Sequence, residues 1–318
     1  MTGMSAYEKA NVLVFHSHGV GQTVNLSALP SEGETVWATS WEIGNDGAKG
    51  SNVAVALANL EIPTAFAGRV GTDIWGGMGL DWLKKANVDL SHLIKDPTMA
   101  TMIGMVMVDE EGRNSIILGG GTAGFTQEEI RSTIDECLGA RFLITGFEIQ
   151  NDDALSILRY GKQAGKFTIL NPSPAPEAPL GELPFVDLLI LNEPESERLL
   201  KLCGRPPDRD VGKRLFQLRE GYACKTIILT LGSQGCALFD HGEVYHYPAQ
   251  PVKAVDTSGA GDSFLAAVTA ALVRGHSLQS ACVFAGVYAA QTIQTPGTFP
   301  ALSTLEQMKR SHEIFLSF

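Results

Sequence analysis

The sequence lacks a disulfide framework. Its cysteines, Cys137, Cys203, Cys224, Cys236 and Cys282, are five in number, widely spaced and without a CxxC pair. That pattern excludes a small cystine-stapled fold and a thiolate zinc site. No HExxH occurs among seven histidines, and the close pair His16 and His18 has the spacing of packed strand residues. No apolar run reaches the length of a membrane span, and Met1 to Ala10 carries no basic-then-apolar leader. A reducing, cytoplasmic setting is expected. Positive charge is also scarce: 24 Lys and Arg against 35 Asp and Glu give a formal net charge of −11. Nucleic acid and anionic lipid are therefore poor partners, although local donors can still hold a small anion. Linkers, repeats and low-complexity tracts are missing, so one domain over 1–318 is expected.

What is present is an α/β alternation. Short apolar runs at Val12–Phe15, 65–67, 142–145, 167–170, 186–191 and 226–230 read as strands. Helical patterns at 51–60, 74–86, 153–165, 194–202 and 210–220 lie between them. From about residue 130 this predicts βαβ units and a mostly parallel sheet covered on both faces, a three-layer sandwich. Segments near 23–43 and 99–120 look antiparallel and peripheral, the second as a hairpin turning at Asp109–Arg113. Together they predict a small β lid. A last strand near Val252 is expected to lead into the motif DTSGAGDSF at 256–264.

That motif strips side chains from Gly259, Ala260 and Gly261 and then places Asp262 at a helix start. First-turn amides have no intrahelical partner and carry partial positive charge, so an anion can approach them closely where side chains are absent. Asp262 can accept a proton from a hydroxyl lying between it and a bound phosphate. Placement at the helix terminus predicts a depressed pKa for it.

DTSGAGDSF resembles the C-terminal signature of the ribokinase-like (PfkB) carbohydrate kinases. GAKGSN (47–52), NEPE (192–195) and TLGSQG (230–235) resemble further motifs of that family in the same order, and PSEGET (30–35), GRVGTD (68–73) and the TPG at 295–297 agree with it. The resemblance spans nearly the whole chain. It implies a ribokinase-like sandwich and ATP-dependent phosphorylation of a hydroxyl, a primary one, on a small sugar or polyol. Asp262 would be the base, and the backbone of Gly259, Ala260 and Gly261 the anion hole. Gly47, Lys49, Asn52 and Glu148 would meet the sugar. Asn192, Thr230, Gly232 and Gly235 would line the nucleotide site, with Glu195 holding Mg²⁺ through water. Asp256 and Thr257 would belong to a loop for a monovalent cation such as K⁺. The apolar strands of the lid, including Met102 to Val108, suit a homodimer through it as well as a cover over ligand.

The chain departs from the family in its first strand and loop. Where relatives carry Asn and Asp for the sugar, it has Gly19 and Gly21, and one extra residue precedes GAKG at Asn45-Asp46. Asp46 is therefore expected to supply the missing carboxylate from another direction. The glycines alternatively open room for a larger ligand, which leaves nucleoside, sugar-acid and fructose-type acceptors open. A non-catalytic sugar-binding sensor is the reading from another class. A dinucleotide oxidoreductase is disfavoured because no GxGxxG follows Val12–Phe15.

Overall fold

The computed structural model describes residues 10–111, 113–121 and 124–318. Residues 1–9 of the leader reading, and Gly112 of the expected hairpin turn, lie outside the described residues.

In chain order the elements begin with β1 (Val12–Phe15), β2 (Gly19–Leu26), β3 (Ser40–Ile43), α1 (Ala48–Asn59) and β4 (Thr64–Gly71). There follow α2 (Ile74–Gly77), α3 (Leu80–Lys85), β5 (Asp89–Asp96), β6 (Met102–Asp109), β7 (Asn114–Gly119) and α4 (Gln127–Glu136). The alternating part is β8 (Phe142–Gly146), α5 (Asn151–Gln163), β9 (Phe167–Asn171), β10 (Leu188–Asn192), α6 (Glu193–Leu202), α7 (Val211–Tyr222) and β11 (Ile227–Thr230). The chain ends through β12 (Cys236–Asp240), β13 (Glu243–Tyr247), α8 (Ala260–Val273), α9 (Leu278–Thr292) and α10 (Leu305–Ser311).

Among the described residues nine strands form the main sheet in the order β13-β12-β11-β10-β9-β8-β1-β4-β5. All pairings are parallel except those of the terminal hairpin, β11 with β12 and β12 with β13. Alternate residues of each strand enter opposite cores. Val12 and Val14 pack with α1, α3, α8, α9 and α10, whereas Leu13 and Phe15 pack with α4, α5, α6 and α7. Strands that are apolar on both faces demand such a cover. The result is the expected three-layer sandwich.

The second sheet has the order β3-β2-β6-β7. Its β2–β3 and β6–β7 pairs are antiparallel as expected, but β2 and β6 run parallel, and β2 starts at Gly19, before the expected boundary. Two further expectations need correction. The helix expected over 74–86 is two short helices, broken at Met78-Gly79 where Gly79 takes φ +80°. No strand forms near Val252: residues 248–258 are irregular, with Val252 and Val255 exposed. The chain reaches α8 from a loop instead.

Candidate active site

The parallel strands point their carboxyl ends at one edge of the sheet, where open α/β folds bind ligands. Beyond β1 lie His16, Ser17 and His18, all buried as packed residues. Burial, reinforced by Lys49, lowers the His16 pKa to about 3, and burial lowers that of His18 to about 4. Both rings therefore stay neutral. Ser17 Oγ donates to Glu148 Oε2 at 2.6 Å, and the amide of Lys49 donates to the same oxygen at 2.9 Å. Glu148 thus sits against the first turn of α1, where N–H groups favour a carboxylate. Sequence reasoning placed Glu148 here but missed Ser17, whose role depends on a partner 131 residues away.

Helix α1 also fixes Asn52. Its Oδ1 accepts from the amide of Gly47 at 3.1 Å, and its Nδ2 donates to Asp262 Oδ2 at 2.8 Å. The other oxygen of Asp262 lies 3.6 Å from Lys49 Nζ. GAKGSN and DTSGAGDSF, with Asn52 and Asp262 210 residues apart in sequence, therefore meet at one carboxylate.

Asp262 is buried in the first turn of α8. Its pKa is raised, not depressed. Burial outweighs the opposing influence of Lys49 and the Asn52 hydrogen bond, while the charge of Asp46 raises it further. The helix terminus does not dominate once the carboxylate has left water. In return Asp262 holds Lys49 above the ordinary lysine range against the cost of burial, helped by Glu148, Glu195 and Asp46. Burial pushes Glu148 up to about 7 and raises Glu195 as well.

The start of α8 is shaped for close approach. Gly259, its N-cap, has φ +71°, which glycine adopts without strain. A Cβ there would also fall 2.5 Å from Thr298 Cγ2. A Cβ at Gly261 would meet nothing within 4 Å, so open space lies over that part of the first turn. The amide of Ala260 donates to Thr257 O at 3.3 Å.

A cavity of about 110 Å³ lies between this cluster and the second sheet, with Gly21, Asp46, Met102, Glu148, Asp256 and Thr298 on its walls. Glu42 joins three of these as a carboxylate, and among the described residues no lysine or arginine lines the space. Asp256 Oδ1 accepts from the amide of Ser258 and Oδ2 from the amide of Gly297, both at 2.9 Å, fastening two loops.

Asn192 and Thr230 are register partners at the ends of β10 and β11. Asn192 and Glu195 form a capping box, each side chain accepting from the other's amide at 2.8 and 2.9 Å. Thr230 Oγ1 donates to Leu191 O at 3.3 Å. Gly232 opens the short turn Gly232–Gln234, and Gly235 (φ +97°) closes it. Among the described residues no group of three or more His, Cys, Asp or Glu could hold a metal by itself. Asn192 and Glu195 offer oxygen donors already engaged by backbone amides. That suits a hard divalent cation held through its water shell. Glu195 is within electrostatic reach of both Lys49 and Asp262, which joins this capping box to the cluster around Asp262.

Residues 20–305 match the family described as pfkB family carbohydrate kinase. The chain is 28% identical over 303 residues to a ribokinase of Staphylococcus aureus, covering 94% of this chain and 98% of the relative. It is 28% identical over 300 residues to a deoxyribokinase of Salmonella typhi, covering 93% and 97%. A ribokinase structure from Arabidopsis thaliana, complexed with ribose and ATP, superposes with a TM-score of 0.84 at 28% identity, covering 97% of this chain and 99% of that one. A ribokinase structure from Thermotoga maritima gives 0.84 at 26% identity, covering 97% and 100%.

Proposed function

The chain belongs to the pfkB family of carbohydrate kinases, and from that premise we propose that it transfers the γ-phosphoryl group of ATP to a primary hydroxyl of a small neutral sugar or polyol. Residues 1–318 act as one kinase domain, with the second sheet as a lid over the acceptor. The observation that carries this reading is Asp262, buried in the first turn of α8 beside Lys49 and Asn52, with open space over Gly261.

The acceptor hydroxyl gives its proton to Asp262 as its oxygen bonds to the γ-phosphorus. The bond to the β–γ bridging oxygen breaks, and ADP leaves. Raised above the ordinary carboxylate range, Asp262 is a better proton acceptor than a surface aspartate. The backbone of Gly259, Ala260 and Gly261 faces the migrating group, and Lys49 balances charge beside it. Alignment and neutralised charge supply most of the acceleration in such a transfer. Gly47, Lys49, Asn52, Glu148 and Asp46 hold the acceptor; Asn192, Thr230, Gly232 and Gly235 hold the nucleotide. Mg²⁺ would be held through water by Glu195 and Asn192 and would neutralise phosphate charge. The loop of Asp256 and Thr257, fastened to Gly297, is the proposed place for K⁺.

Four carboxylates on the cavity wall, Glu42, Asp46, Glu148 and Asp256, against the single cation Lys49, which Asp262 already pairs, favour a neutral acceptor over a sugar acid. An ADP-release assay over neutral pentoses, deoxypentoses, hexoses, nucleosides and sugar acids, with ATP and Mg²⁺ and with or without K⁺, tests the reading. Turnover is expected on a neutral acceptor. No ADP from any of them, with tight sugar binding by calorimetry, would establish the non-catalytic sensor instead. Asp262→Asn is expected to lower kcat by about 10²–10⁴-fold, the usual range for a positioned base, with ATP affinity barely moved. A variant that keeps most of its activity removes Asp262 from the role of base.

A further inference from the structure

Gly21 and Asp46 share one place. The amide of Gly21 donates to Asp46 O at 2.8 Å, and a Cβ on Gly21 would fall 2.5 Å from Asp46 Cβ. The aspartate thus stands in the volume that any side chain at 21 would need. From there its carboxylate reaches three donors. Oδ1 accepts from the amide of Ala48 at 2.9 Å; Oδ2 accepts from Thr298 Oγ1 at 2.6 Å and from Asn52 Nδ2 at 3.3 Å.

Two of those donors lead directly to the transfer machinery. Asn52 Nδ2 carries two hydrogens and divides them between Asp46 and Asp262. Its orientation is fixed, because turning the amide over would set its carbonyl oxygen against two carboxylates and its NH₂ against the Gly47 amide. Thr298 is fully buried. It gives its hydroxyl to Asp46, its methyl lies against Gly259 at the mouth of α8, and its amide donates to Asn45 O at 3.1 Å.

We propose that Asp46 is a positioning residue for the transfer step: through Asn52 it orients the base and through Thr298 it seats the mouth of α8, from a place that exists because residue 21 has no side chain. This rests on the reading of Asp262 as the base, and it goes beyond a contact with the acceptor because it predicts an effect on turnover. A frame acting on both the base and the anion-binding turn is sensitive, since displacements of about 1 Å can cost about 10²-fold in rate. The pH dependence follows as well. The charged groups facing Asp262 are Lys49, Asp46, Glu148 and Glu195, and the charge of Asp46 favours the protonated form. Removing it lets Asp262 ionise at lower pH.

The test uses the full chain, with whichever neutral pentose, deoxypentose or hexose gives the highest turnover. Asp46→Ala is expected to lower kcat by about 10- to 100-fold, leave the ATP KM within about threefold, and move the acid limb of kcat to lower pH. Thr298→Val should reproduce part of the loss and Thr298→Ser restore it. The double variant Asp46→Ala/Thr298→Val should be no slower than Asp46→Ala. Gly21→Ala changes no functional side chain, yet it should displace Asp46 and follow Asp46→Ala. It also keeps the proposal testable if Asp46→Ala fails to fold. A natively folded Gly21→Ala with full kcat, an Asp46→Ala that raises only the acceptor KM, or multiplicative losses in the double variant would overturn the inference. Asp262→Asn measured alongside separates the two readings: its inactivation beside normal Asp46 variants overturns this inference alone, and its retained activity, or no turnover on any acceptor, overturns both.

Discussion

Glu148 accepts from Ser17 and from the Lys49 amide, yet burial still moves its carboxyl from 4.5 to about 7. The sign of the linked stability follows. Between pH 4.5 and 7 the native state keeps a proton that the unfolded chain has released, so stability is fullest below the unfolded value and falls as pH rises through the native one. Glu148→Gln has no proton to lose. The unfolding free energy of the parent, relative to this variant, should therefore fall by an amount of up to roughly 3 kcal/mol between about pH 4.5 and 7.5, by the usual equivalence of pKa shift and free energy. Asp262 and Glu195 are raised in the same direction and remain in both proteins, so the difference reads residue 148 together with its coupling to Asp262 and Lys49. Urea unfolding at several pH values measures it, and parallel profiles would show that Glu148 titrates as an ordinary carboxylate. The reversed pKa direction of Asp262 has the same cause. A residue's position on a helix can be read from its motif but its depth cannot, and here depth decides.

At the scale of elements, the mouth of α8 separates two glycines that read alike in sequence. Gly259 is held at φ +71° with Thr298 packed on it, whereas Gly261 faces open space. Gly259→Ala should destabilise the fold by about 1 kcal/mol or more, since the left-handed region is costly for a side chain. Gly261→Ala should hold or gain up to about 1 kcal/mol, as alanine prefers a helix, and still lose turnover because its methyl occupies the approach to the amides. Thermal melts beside kcat distinguish the two; an active Gly261→Ala would mean that the phosphoryl group passes elsewhere. The motif made this helix start legible, and apolar runs marked most parallel strands. The terminal hairpin β12–β13 escaped, although His241 and Gly242 at its turn take φ +48° and +87°, the positive values a two-residue hairpin needs. The apolar Val252 and Val255 suggested a strand, but both are exposed, and the amide of Val255 donates to Ile293 O, just past α9, at 2.8 Å instead of to a sheet. Asp262, Lys49 and Asn52 were found because their motifs are local. Thr298 was not, because its importance comes from touching Asp46 and Gly259 across the fold.

At the scale of the molecule, the sheet that borders the cavity keeps Gln22 and Val24 buried but leaves other large apolar side chains in solvent. On its strands Trp41 is 55% exposed and Ile117 56%, Ile43 is exposed as well, and in the loop before β3 Trp37 is 96% exposed. Large aromatic and branched side chains left exposed on and next to one small sheet are costly in water and typical of association surfaces. A second protein surface is a fitting cover for such side chains. We infer that a second copy of the chain supplies it, lid against lid. Trp41 already spends its indole N–H on Gln22 at 3.1 Å, leaving its ring as an apolar contact face. Sedimentation of the parent at micromolar concentration should give a dimer, and Trp41→Glu combined with Ile117→Lys should give a folded monomer, since neither side chain belongs to the two main cores. With the same sheet proposed as the lid over the acceptor, the monomer should show a higher acceptor KM with a nearly unchanged ATP KM. A parent that sediments as a monomer, or a double variant that still dimerises, would assign this surface to something other than self-association.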